Sequence, residues 1–253
     1  MKKILIISLL ALCMGFTANA TNNDPSNVKD CSEGFNRASF KFNQGLDKAI
    51  LRPIAIGYRK LPNGLRTITS NFLNNLSNLV TIPNNALQGD FAKAGTNFAR
   101  LGINSILGIL GMFDVASSMG FEKYEKEDYG QTLGVMGAGP GCYLVLPVLG
   151  STTARDTVGI IGGIVGGDPW YNVTVRNDTQ YFKDSDYYIS RGAGGVDFRA
   201  KNLEAIDNLE ENSMDFYASV KSLYLQDRQK KILNSNQTTE TQDDSDWDEV
   251  SSD

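Results

Sequence analysis

Residues 129–154 read YGQTLGVMGAGPGCYLVLPVLGSTTA. These 26 positions carry no Asp, Glu, Lys or Arg, a run long enough to cross a bilayer as a helix. Six glycines and two prolines interrupt it. Proline removes a helical donor and glycine weakens each turn it enters. A broken helix facing lipid would leave backbone groups without partners. The stretch therefore predicts an apolar loop packed against protein or lining a cavity, not a membrane span.

Helical patterns surround it. Upstream, Phe35, Ala38, Phe42, Leu46 and Ala49 recur at three- and four-residue steps behind an Asp30-x-x-Glu33 capping pattern. Arg52-Pro53 is expected to break that helix, and Pro62-Asn63-Gly64 signals a turn. Residues 65–75 read as helix, and Pro83 is expected to start another segment. Asp90 can cap a helix carrying Phe91, Ala94, Phe98 and Leu101, which runs into an uncharged stretch, 101–113. Downstream, residues 153–167 form a short glycine-rich helix in which Gly162 and Gly163 would allow close helix packing. Asp168-Pro169 ends it. Residues 196–231 read as two helices with Leu203, Ile206, Leu209, Phe216, Val220 and Leu223 as inner faces. The fold class is mainly α.

The ends differ from the body. Lys2 and Lys3 precede an apolar run, and Ala18-Asn19-Ala20 offers small residues for signal peptidase, so residues 1–20 read as an export signal cleaved after Ala20. Cys13 follows bulky Leu12, where a lipidation signal has a small residue. Residues 21–29 are a polar, flexible leader, 30–233 the helical body, and 234–253 an acidic, disordered tail. The chain has 24 Lys plus Arg and 29 Asp plus Glu. Without the two signal lysines and the seven acids of 240–253, the body holds 22 of each sign. Export implies an oxidising compartment. Cys31 and Cys142 remain after cleavage; a bridge would close a loop of about a hundred residues, worth on the order of 4–5 kcal/mol, but two separate thiols is the expected state.

Most catalytic chemistry is excluded. The chain has no histidine, which removes imidazole bases, acids and metal ligands. Gly134-x-x-Gly137-x-Gly139-x-Gly141 lacks the strand–glycine–helix order of a dinucleotide site. Asp244, Asp246 and Asp248 imitate a calcium loop, yet Glu249 stands where glycine is required. Ser26-x-x-Lys29 lies in the leader, and Asp184 and Asp186 read as a polar loop. No cofactor or metal is expected, and a mildly acidic chain is a poor nucleic-acid binder.

Several motifs resemble the MlaA (VacJ) family: Glu33-Gly-Phe-Asn-Arg37, Arg52-Pro53, Asn71-Phe-Leu-Asn-Asn-Leu76 through Leu87-Gln-Gly89, Tyr129-Gly-Gln-Thr-Leu-Gly134 through Tyr143-Leu-Val-Leu-Pro147, Arg155-Asp156, Asp197-x-Arg199 and Tyr224-Leu-Gln-x-Arg228. The resemblance covers residues 30–231. It implies a ring of amphipathic helices seated in the inner leaflet of a Gram-negative outer membrane, around a channel. Phospholipids misplaced in the outer leaflet would pass through it to a periplasmic carrier, beside an outer-membrane porin, without catalysis. On that basis Gly134, Gly137, Gly139, Gly141 and Tyr143 are expected at the channel or its loop, where the glycines either give mobility or only fix turns. Arg155 and Asp156 would either contact a head group or pair structurally. Trp170 and Tyr171 would sit at the water–acyl interface or pack on the body. The rival reading is a structural or adhesion protein of the envelope with no lipid path.

Overall fold

The computed structural model describes residues 27–177 and 181–236. Helix α1 (Glu33–Leu46) passes through a π-turn at Asp47–Leu51 into α2 (Arg52–Arg59). Helices α3 (Asn63–Leu87) and α4 (Phe91–Ile106) form the largest hairpin, followed by α5 (Val115–Ser118) and α6 (Tyr129–Val135). A two-stranded antiparallel hairpin, β1 (Tyr143–Leu146) and β2 (Gly150–Thr153), leads into α7 (Ala154–Gly162). A π-turn at Gly163–Gly167, the short α8 (Pro169–Tyr171), a π-turn at Asn172–Arg176, α9 (Asp184–Lys201), α10 (Leu203–Asn212) and α11 (Phe216–Asn236) complete it. The export signal with Ala18 and Ala20, most of the leader and the tail beyond residue 236 lie outside the described residues. The body already begins at Val28, which packs on the core, and Lys29, whose carbonyl accepts from Tyr143 N.

Helices α1, α3 and α4 are amphipathic with largely polar faces inward. In α1, Phe35 is 57% exposed while Asn36 is 0%. The buried positions of α4 are Ala94, Asn97, Arg100 and Asn104, and Phe91 and Phe98 point out. In α3 the buried set is Ser70, Asn75, Asn78, Thr81, Asn84 and Asn85. Helical periodicity locates an apolar stripe but does not say which medium it meets.

The apolar core is small. Tyr143, Val145, Tyr217 and Leu225 bury together where β1 meets α11, with Phe40 of α1 against them. Rings of Phe40 and Tyr217 meet edge to face at 5.5 Å, and those of Tyr143 and Tyr217 at 6.1 Å. One edge of β1 pairs with β2; its other edge is read by asparagines two helical turns apart on α1. Asn36 donates to Tyr143 O at 3.0 Å and accepts from Val145 N at 2.8 Å. Asn43 donates to Leu146 O at 2.9 Å and accepts from Val148 N at 2.7 Å. Asparagine amides, buried at Asn36 and partly exposed at Asn43, thus supply the pairing that a third strand would give.

Several local expectations change. Cys31 and Cys142 form a disulfide, with Cα atoms 5.6 Å apart; a parallel bridge between Asp30 and Tyr143 sets the two cysteines side by side. Asp30 does not cap α1 but accepts from Asn36 and from the Tyr217 hydroxyl. Pro53 begins α2 without a break, because the π-turn absorbs it. Pro83 lies inside α3, where the Asn84 side chain donates to Val80 O at 2.7 Å and supports the disturbed turn. Asp184 and Asp186 stand in the first turn of α9, where carboxylates suit the helix dipole. The C-terminal part holds three helices rather than two. The inner face of α11 carries Tyr217, Leu225, Arg228 and Ile232, and Leu223 is exposed.

Candidate functional site

The uncharged stretch 129–154 becomes α6, a glycine turn and the β-hairpin. Asp128 caps α6 by accepting from Gln131 N at 3.0 Å, and Thr153 caps α7 by accepting from Asp156 N at 3.1 Å. The two helices cross at backbone contact. A Cβ on Gly159 would stand 2.8 Å from Gly130 Cα, so glycine is required at the crossing. Close packing therefore falls at Gly159. Gly162 faces open space, and a Cβ on Gly163 would meet only the Tyr129 ring, at 3.9 Å.

The crossing brings buried charges together. Arg228 of α11 donates to Asp128 at 2.7 and 2.9 Å and to Asp156 at 2.9 and 3.1 Å. Arg155 Nε donates to Asp156 Oδ1 at 3.0 Å, and the Tyr224 hydroxyl to Asp156 Oδ2 at 2.6 Å. Burial alone would raise the Asp156 carboxyl, but the Arg228 guanidinium beside it brings it down to about 2. Burial would likewise lower Arg228; its bonds to Asp128 and Asp156 raise it instead. Arg155 and Asp156 are thus paired with each other and with α11. Beside them opens a small cleft that Arg155, Pro140, Leu225 and Ile232 help to line.

The other expected site residues separate. Gly134 lies within α6, where a Cβ would come 2.5 Å from Ile232 Cδ1, so it serves helix packing. Gly137 has φ +93° and open space around it, Gly139 open space alone. Gly141 has φ +67°, and a Cβ there would lie 3.0 Å from that of Ala154. Tyr143 is in the aromatic core rather than on a channel wall, its hydroxyl 2.9 Å from Ser151 Oγ. Trp170 is half-buried, donating to Ser190 Oγ at 3.1 Å with its ring against Phe182; Tyr171 meets Tyr187 edge to face at 5.1 Å. Among the described residues no three His, Cys, Asp or Glu side chains gather as a metal site.

Sequence reasoning missed the α3–α4 interface. Asn97 donates to Asn85 Oδ1 at 2.9 Å, and Asn75 to Ser105 Oγ at 3.0 Å. Arg100 donates to both Asp114 oxygens at 2.9 Å. Asn71, Asn75, Asn78 and Asn85 at steps of four, three and seven were the available signal: amides on one helical face need partners inside. Outside, the same hairpin displays Phe91, Phe98 and Ile106, followed by exposed Leu107, Ile109, Leu110 and Phe113. No helix among the described residues is long and apolar enough to cross a membrane.

The family described as "MlaA lipoprotein" matches residues 28–231. The intermembrane phospholipid transport system lipoprotein MlaA of Haemophilus influenzae is 30% identical, with 92% of this chain and 92% of that protein covered. The protein of that name from Escherichia coli K12 is 33% identical over 87% of this chain and 86% of its own length. A Rickettsia bellii protein is 34% identical over 91% and 93%. A chain solved in work on the structural basis for maintenance of bacterial outer membrane lipid asymmetry superposes with a TM-score of 0.67 at 33% identity, covering 81% of this chain and 99% of that one. The chain belongs to the MlaA lipoprotein family.

Proposed function

We propose that this protein transfers phospholipid without catalysis at the outer membrane of a Gram-negative bacterium. It removes phospholipid misplaced in the outer leaflet and passes it to a periplasmic carrier, beside a porin, after export by residues 1–20. The supporting observation is the inverted helix surface: apolar side chains such as Phe35, Phe91 and Phe98 face outward while asparagines and arginines face inward. Apolar patches on that scale fit a lipid or protein surface rather than water. The outward stripe would seat the helices in acyl chains, and the inward polar face would wet a head group. MlaA relatives named for intermembrane phospholipid transport support the same reading.

The test is surface phospholipid content with and without the gene, together with lipid extracted from the detergent-purified protein. Deletion should raise surface phospholipid, and purified protein should carry lipid. Unchanged surface lipid with no lipid on the protein would instead favour a structural envelope protein.

A further inference from the structure

Between α5 and α6 the chain runs through 121–128 without helix or strand. Neighbours hold this segment on several sides. The Tyr124 hydroxyl meets that of Thr81 on α3 at 2.9 Å, and Glu127 N donates to the same Thr81 oxygen at 3.2 Å. Gln88 of α3 donates to the Glu127 carboxylate at 3.0 Å. Gln131 of α6 donates to Lys126 O at 3.1 Å, and Arg228 of α11 holds Asp128 at 2.7 and 2.9 Å. Lys126 stands among these anchored residues and is exposed.

Its exposure is not that of an outer surface. Loss of water to the surrounding protein is the strongest influence on the Lys126 ammonium and lowers its pKa, and the Arg191 charge lowers it further. Arg191 of α9 and Asp128 have side chains 48% and 41% exposed, yet burial is again the strongest influence on each. It would lower Arg191 and raise Asp128, and their neighbours reverse both. Arg37 and Arg52 give the contrast. Their side chains are 39% and 43% exposed, but hydrogen bonds to Asp215 and Asp207 act most strongly and raise them. Water touches both sets of side chains, and only the first set is also walled by protein. Lys126, Asp128 and Arg191 therefore face a wet space inside the fold. The charges that act on Lys126 come from separate elements around it: Arg191 on α9, Asp128 before α6, Lys231 on α11 and Asp168 before α8.

The acids there are already taken. Asp168 accepts from Trp170 N and Tyr171 N and, at 2.5 Å, from Arg191. Asp128 accepts from Gln131 N as well as from Arg228. Arg191 also lies over the Tyr187 ring, with Cζ 5.1 Å from its centroid, so two neighbours fix the guanidinium. Among the described residues the Lys126 ammonium has no hydrogen bond or ion pair. A desolvated ammonium without a partner gains from an anion that supplies the missing charge and acceptor. A second cation acting on it from another wall favours an anion with several oxygens, one for each cation.

We propose that Lys126 and Arg191 form a phosphate subsite in this enclosed wet space, and that it takes the phosphate common to phospholipid head groups. Lys126 Nζ donates to one phosphate oxygen, and the Arg191 guanidinium faces another. Lysine acts on phosphate as a point charge, so the subsite reads the phosphate and not the alcohol attached to it. This rests on the lipid-transfer reading above and gives the head group a station among α3, α9 and α11.

Lys126→Gln removes the charge from an exposed side chain that holds nothing else, so the melting temperature should stay the same or rise slightly. Lys41→Gln, at an exposed position of α1, is the control. Calorimetric titration of the full chain in detergent compares dioctanoyl phosphatidylcholine, dioctanoylglycerol and inorganic phosphate. The native chain and Lys41→Gln should bind the phospholipid roughly tenfold tighter than dioctanoylglycerol, the scale of one charge-assisted bond. Lys126→Gln should lose that margin. A second readout reports contact itself: amine-directed labelling followed by mass spectrometry should slow at Lys126, and not at Lys41, when the phospholipid is added. A margin that survives in Lys126→Gln, or Lys126 labelling that bound phospholipid leaves unchanged, overturns the subsite and leaves lipid transfer standing. Inorganic phosphate binding as tightly as the phospholipid would assign the site to a soluble anion and overturn the lipid part. Failure of the phospholipid to bind overturns the subsite; joined by unchanged surface phospholipid on gene deletion, it overturns lipid transfer as well.

Discussion

Around Asp156 and around Asn78 the protein buries polar side chains in opposite ways. At the crossing of α6, α7 and α11 each Asp156 oxygen takes two donors, and Arg228 spans two carboxylates. The backbones of Gly130 and Gly159 touch there. Between α3 and α4 the asparagines are equally hidden, yet three polar atoms lack partners among the described residues, and exposed apolar side chains lie alongside. A saturated charge cluster is complete without a ligand and orients the helices that carry it. Burial of charge therefore does not by itself mark a ligand site in this protein. The Arg155-Asp156 motif belongs to the first kind.

The largest effect should come from breaking the complete cluster. Arg228→Met strands Asp128 and Asp156 in a buried site, and loss of one partner of such a cluster costs about 3–5 kcal/mol. Chemical denaturation measures it. An Arg228→Met protein as stable as the native one would erase the contrast between the two regions. Next comes the disulfide, which ties Cys31 to Cys142. Replacing both cysteines by serine should cost about 2–4 kcal/mol, and reductant should destabilise the native chain but not the double variant.

A third, smaller effect is acid sensitivity. The Asp156 carboxyl is depressed to about 2 in the fold, against roughly 3.9 in an unfolded chain. A depressed carboxylate stabilises above its unfolded value and loses that contribution as pH falls towards the folded one. Stability should therefore drop between about pH 4 and pH 2, by on the order of 2 kcal/mol from this group. Asp156→Asn should flatten that part of the profile while lowering stability at neutral pH. A native profile that stays level down to pH 2 would show that Asp156 is not held ionised by Arg228.

The sequence carried helix positions better than helix orientation. Spacing of Phe35 and Phe42 found α1, and Asp90 found the start of α4, because period and caps are local properties. Which stripe turns inward is decided by the medium, so Asn36 and Ser39 were invisible as the buried face until α1 met β1. Pro83 looked like a boundary because a missing donor is a local fact, while the Asn84 bond that supports the turn depends on side-chain geometry. The glycine stripe of α7 was legible, but the crossing point that singles out Gly159 from Gly162 is set by α6. The Cys31–Cys142 bridge needed the Asp30–Tyr143 pairing, a contact between residues far apart in the chain. At the site, Arg155 and Asp156 stood out as charges beside an uncharged run, whereas Arg228 and the α3 asparagines announced themselves only through their partners.

The smallest expected change in stability belongs to the glycine turn, and it sharpens the comparison most. Gly137 and Gly139 both face open space, but only Gly137 has a left-handed φ. Valine at Gly137 meets backbone strain of about 1–3 kcal/mol. Valine at Gly139 meets none and restricts the unfolded chain, so stability should stay within about 0.5 kcal/mol or rise slightly. Both substitutions stiffen the segment between α6 and β1. If that segment moves as lipid passes, Gly139→Val should impair clearance of surface phospholipid at normal protein level, and Gly137→Val should impair clearance and stability together. Gly162→Val, in open space at the end of α7, should change neither. The readouts are protein level, melting temperature and surface phospholipid for the three variants. Normal clearance by Gly139→Val would mean that the turn only joins α6 to β1, and that the glycines between them serve geometry alone.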